Sequence, residues 1–153
     1  MRPLLLGAVL VPLLASCTAE CTLVGCESRL EVQLEHSLNL SEGSYRLEIT
    51  TPLQSLRCSF GPEATGANTC FGYRFTDLTW NEERVTVSLI DPFYDMATNP
   101  DGEPFESVDV VLFRGMDRVA ELTVDIAPGP PDQPNGDGCP PTCWTARGQA
   151  TLP

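Results

Sequence analysis

Between Leu30 and Leu38 the chain alternates: Leu30, Val32, Leu34, His36 and Leu38 share one phase, while Glu31, Gln33 and Glu35 share the other. A period of two belongs to a strand with one buried and one wet face. The pattern resumes after the turn residues Ser41-Glu42-Gly43-Ser44, where Tyr45, Leu47 and Ile49 alternate with Arg46, Glu48 and Thr50. The sequence therefore predicts a strand, a turn and a second strand. Leu56, Cys58 and Phe60 predict a short third strand, and residues 71–80 predict a fourth that turns at Asn81-Glu82-Glu83 into a fifth over 84–90. Residues 108–113 and 119–126 flank Arg114-Gly115-Met116-Asp117-Arg118 and predict a hairpin. A closing strand is predicted over 143–152. Residues 91–104 hold three prolines and the turn signal Asp101-Gly102, and 128–141 are dominated by Pro, Gly, Asn and Asp, so both stretches predict irregular loops.

About eight short strands, with turn signals near every ten residues and no helical period beyond the first sixteen positions, predict an all-β fold, an antiparallel β-sandwich. Its general plan is similar to immunoglobulin-like and transthyretin-like modules, although the paired cysteines and tryptophan of antibody domains are missing from their usual spacing. A chain of 153 residues has room for one domain of this kind.

The first sixteen residues read differently. Arg2 precedes an apolar run from Leu4 to Leu14, eleven residues, which is too short for the roughly 20 that a spanning helix needs but suits the core of a secretory leader. Leu14-Ala15-Ser16-Cys17 follows, and this tetrad resembles the lipobox of bacterial lipoproteins at all four positions. The resemblance implies cleavage before Cys17, a diacylglyceryl thioether on its sulfur and an anchor of several acyl chains. Each buried methylene contributes about 0.8 kcal/mol, and more than one chain is needed for stable attachment. The expected organisation is a leader at 1–16, a lipidated tether at 17–25 and a β domain at 26–153. Thr18 replaces the Asp that the family associates with inner-membrane retention, which implies the outer membrane.

Seven cysteines is an odd number for an exported chain. Lipidation of Cys17 leaves Cys21, Cys26, Cys58, Cys70, Cys139 and Cys143, an even set that predicts three disulfides in an oxidising compartment. Gly61, Pro62, Gly66 and Asn68 lie between Cys58 and Cys70 and predict a surface loop closed by that pair; the other four would clasp the start of the domain to its end. Zinc and dithiol redox chemistry fit poorly. Cys21-x4-Cys26 and Cys139-x3-Cys143 lack the two-residue spacing of zinc knuckles, and Pro140 and Pro141 oppose a helix start.

Charge narrows the partners. The only basic side chains are nine arginines, and past the leader eight of them face 21 carboxylates, a net −13. That field repels phosphate backbones, so nucleic acid is excluded, whereas the membrane, a second envelope protein or a glycan fits. No catalytic residue and no cofactor are expected: the one imidazole, His36, falls on the apolar phase of a strand, and Ser41, Ser44 and Ser59 have no nucleophile-elbow context. Paired carboxylates are the only hydrolytic machinery on offer. Asp91, Asp95, Asn99, Asp101 and Glu103, and Asp132, Asn135 and Asp137 in the second loop, could instead offer oxygen ligands to calcium. Phe71, Tyr73, Phe75 and Trp80 would stack on sugar rings if exposed, and Trp144 would pack on a disulfide. The run Pro134-Asn135-Gly136-Asp137-Gly138-Cys139-Pro140-Pro141-Thr142-Cys143, with the strand pattern, resembles lipoproteins of myxobacteria without established activity. The resulting expectation is a lipid-anchored, non-catalytic envelope domain, with a carbohydrate- or calcium-dependent adhesion module as the alternative.

Overall fold

The computed structural model describes residues 25–40, 42–62, 69–72, 76–93, 99, 102–136, 139 and 141–153. Nine strands form one mixed sheet: β1 (Arg29–Glu35), β2 (Tyr45–Thr50), β3 (Ser55–Phe60), β4 (Thr69–Phe71), β5 (Thr76–Trp80), β6 (Arg84–Ile90), β7 (Ser107–Arg114), β8 (Asp117–Pro128) and β9 (Thr145–Thr151). Their spatial order is β4-β3-β2-β7-β8-β9-β1-β6-β5. The two end strands approach each other, so the sheet is nearly closed into a barrel-like shape. The all-β expectation holds.

Alternation decides which side chains line the interior. Leu30, Val32 and Leu34 of β1, Leu47 and Ile49 of β2, Leu56, Cys58 and Phe60 of β3, and Val85, Val87 and Leu89 of β6 are all buried. Their sequence neighbours face outward. Long β8 joins the two halves. Its residues 117–125 pair with β7, and residues 126–128 pair with β9. Near its start the register slips between Leu112 and Phe113, so that Val119 is the extra residue of a bulge and is exposed.

Three features differ from the expected antiparallel sandwich. One continuous sheet replaces two separate ones. The β1–β9 pair is parallel, which the long course of chain between the two strands permits and a short hairpin turn would not. The stretch 71–80, read as one strand, contributes to two: β4 pairs with β3, and β5 pairs with β6 at the far edge of the sheet. Its break begins at Gly72, where φ is +120° and a Cβ would lie 2.3 Å from the Ser55 carbonyl oxygen. Only glycine fits there. Gly72→Ala is accordingly expected to destabilise the domain by about 2–3 kcal/mol, read from the urea midpoint. An unchanged midpoint would mean that the crossing does not depend on this backbone conformation.

The described residues between β8 and β9 are irregular, as their composition implies, but they are pinned. Asp132 and Cys143 exchange two backbone hydrogen bonds of 2.8 and 2.9 Å, and the Gly129 N–H donates to the Thr145 carbonyl at 2.7 Å.

Candidate functional site

Covalent links come first because they fix which strands can meet. Cys58 and Cys70 sit directly opposite each other on β3 and β4 and are bonded. Cys26, three residues before β1, is bonded to Cys143, two residues before β9, at a sequence separation of 117 and a Cα–Cα distance of 6.1 Å. The link sits at the open end of the parallel β1–β9 seam. Cys139, buried beside it in sequence, is disulfide-bonded as well. Disulfides persist in oxidising compartments, so these bonds point to an extracytoplasmic protein. Cys17 and Cys21 lie outside the described residues, as does the expected leader. Among the described residues no helix is long and apolar enough to cross a membrane.

The same end is knitted by Ser28. Its backbone N–H donates to Oδ1 of Asp91 at 2.9 Å, its carbonyl accepts from the Asp91 N–H at 2.7 Å, and its Oγ accepts from the Trp144 N–H at 3.1 Å. Asp91 adopts φ +52°, which Asp tolerates better than most residues. The carboxylate nominated for calcium thus satisfies a nearly buried backbone donor. Asn99 is similarly engaged, donating through Nδ2 to the carbonyls of Phe93 at 2.6 Å and Glu103 at 2.8 Å. Glu103 is exposed, and Asp95, Asp101 and Asp137 lie outside the described residues. Among the described residues no group of three or more His, Cys, Asp or Glu side chains could hold a metal ion. Asp91→Ala is expected to cost about 1–2 kcal/mol, because the Ser28 N–H loses its acceptor, while Asp91→Asn retains most of the stability. Thermal melts of both variants check this, and equal losses in the two would show that charge matters more than the hydrogen bond.

The aromatic residues do not form one face. Phe71 is 67% exposed on edge strand β4. Trp80, at the end of β5, packs inward with its ring centroid 6.1 Å from that of Phe60. Tyr73 and Phe75 lie outside the described residues. Trp144 is partly buried against the core, and its Nε1 is buried without a hydrogen-bond partner.

His36 follows β1 and is 8% exposed. Both of its ring nitrogens are buried without a hydrogen-bond partner among the described residues. Ser59 faces outward on β3, opposite Thr69 and Arg46.

A feature that no motif announces is a groove of about 810 Å³ across the outer face of β5, β6, β1 and β9. Strand register builds it: Asp77 lies opposite Ser88, Ser88 opposite Glu31, and Glu31 opposite Arg147, so one polar row crosses four strands. Arg29 and Thr145 flank the row at one end. In the adjoining row Gln33 donates to Oε1 of Glu31 at 2.6 Å, which fixes that carboxylate in place. Guanidinium, carboxylate and hydroxyl groups alternate here within reach of one ligand. The signal that could have found it is the polar phase of β1, β6 and β9, but single-strand alternation reads that phase only as solvent-facing. The chain matches no family model, no curated protein and no solved structure.

Proposed function

We propose that the chain is a lipid-anchored protein of a bacterial cell envelope whose β domain binds a partner or serves an envelope assembly without catalysis. The observation that carries this reading is the cysteine count. All five described cysteines are in disulfides. Seven is odd, so one sulfur has no partner within the chain, and the lipobox tetrad assigns that role to Cys17. Thr18 favours the outer membrane as the destination. The sole imidazole is buried and neither of its ring nitrogens is hydrogen-bonded to another described group, which supports binding over acid–base chemistry. Expression of Cys17→Ser in a lipoprotein-processing bacterium tests the anchor. The wild-type chain should sediment with membranes and carry an acyl mass, and the variant should be found in the soluble exported fraction. Identical partitioning of the two would sink the reading.

A second reading, glycan recognition, is supported by the groove. Its alternating donors and acceptors suit sugar hydroxyls, and its rim carries no run of like charge. On a glycan array, Arg147→Ala and Glu31→Gln would each weaken a bound glycan about tenfold if the groove is used. Undiminished binding in both variants would remove the groove from consideration.

A further inference from the structure

We propose that the groove across β5, β6, β1 and β9 has an anion subsite at its β9 end, where Arg147 and Arg29 take a carboxylate or phosphate group carried by a glycan. The proposal deepens the glycan reading above and rests on it.

Its starting point is a guanidinium left over. Past the leader, eight arginines face 21 carboxylates, and under that excess the described arginines find partners. Arg29 pairs with Glu27, Arg46 and Arg57 with Glu48, Arg84 with Glu35 and Arg118 with Glu121, while Arg114 lies over the Tyr45 ring. Arg147 alone among the described arginines has neither a carboxylate nor a ring. By register its neighbour on β1 is Glu31. That carboxylate forms no ion pair with it, because Gln33 donates to Oε1 of Glu31 at 2.6 Å and holds it toward the adjoining row.

Register also brings a second cation close. Arg29 lies beside Thr145, two positions before Arg147 on β9, so the two arginines sit on a diagonal of one outward face. The Arg29–Glu27 contact spans 3.6 Å between side chains that are 66% and 58% exposed. Solvent screens such a pair, and an arriving anion competes with it readily. Two guanidiniums on a diagonal repel until an anion lies between them, and each planar fork matches two oxygens of a carboxylate or phosphate. The Thr145 hydroxyl lines the same end and adds a donor.

The remainder of the groove suits the neutral part of the ligand. Ser88 is two strands from Arg147 and Asp77 is three, roughly 10 and 14 Å at the usual strand spacing. A hydroxyl and a carboxylate at those positions take sugar hydroxyls. The acidic surface beyond the groove repels polyanions at long range, so the site selects one negative group on a hydroxyl-rich chain.

The test uses the full chain, matured in membranes and extracted in detergent, on a glycan array that carries uronate-bearing and phosphate-bearing trisaccharides, each beside its neutral counterpart. At least one anionic class should bind about tenfold or more tightly than its neutral match, and that margin should shrink as salt is raised. Preference for uronates and preference for phosphate esters both support the subsite, and the one observed names its anion. Arg147→Gln should bring the anionic member down to its neutral match and leave the neutral member near its wild-type affinity, which shows that the groove still forms. Equal binding within every pair would overturn the subsite and leave the glycan reading standing. A preference that survives Arg147→Gln would overturn its location. Absence of binding across the array would remove the glycan reading and the subsite together.

Discussion

Replacing Cys26, Cys139 and Cys143 together with alanine is expected to remove about 5 kcal/mol from the stability of the oxidised domain, the largest loss available to any small set of substitutions. The Cys26–Cys143 link closes 117 residues of chain, and constraining so long a loop restricts the unfolded ensemble more than the Cys58–Cys70 link, which closes 12. By loop-closure entropy the difference is about 5 against about 3 kcal/mol. Cys139 is included because a second bond beside the first would keep nearly the same loop closed and mask the loss. The clasp also holds the parallel seam, where β1 and β9 meet without any short connection to keep them together. Equilibrium urea unfolding of this variant and of Cys58→Ala with Cys70→Ala checks the ranking. Equal losses would mean that the clasp acts through local contacts and not through the length of chain it closes.

Phe60→Ala is expected to cost about 3–5 kcal/mol, as the excision of a fully buried aromatic ring does. Phe60 ends β3, lies opposite Tyr45 of β2 with ring centroids 5.6 Å apart, and contacts Trp80 of β5 at 6.1 Å. It thereby joins strands from both ends of the sheet order, where no backbone ladder links them. Its loss should loosen the closure of the barrel as well as leave a cavity. Phe71→Ala, eleven residues on at the exposed edge, should stay within about 0.5 kcal/mol. Calorimetric melts of both variants would contradict this account if Phe71 proved the costlier residue.

How much of this was legible in the sequence depends on how far each feature reaches along the chain. Alternation in β1, β2, β6 and β7 is local, and it gave both the strands and the buried set. The small Cys58–Cys70 loop could be read from the glycines, proline and asparagine between its ends. The parallel β1–β9 pair could not, because no residue in Arg29–Glu35 records which distant strand will lie beside it. The split of 71–80 was masked by aromatic and apolar side chains on both sides of Gly72, and only the approach of the Ser55 carbonyl shows why the chain must turn there. The groove was invisible for a related reason: Asp77, Ser88, Glu31 and Arg147 come from four strands and form a row only once the register is set. Conversely, Asp91 was conspicuous as a ligand in a Pro-rich acidic loop, yet it serves the backbone of Ser28.

The central claim, an exported domain stapled by disulfides and held by one lipidated cysteine, is tested most directly by the intact mass of the native protein extracted from membranes without reductant. The predicted result is a chain beginning at an acylated Cys17 in which no other cysteine reacts with a thiol reagent. A chain with an unmodified Cys17, or with reactive thiols among the remaining six, would contradict it.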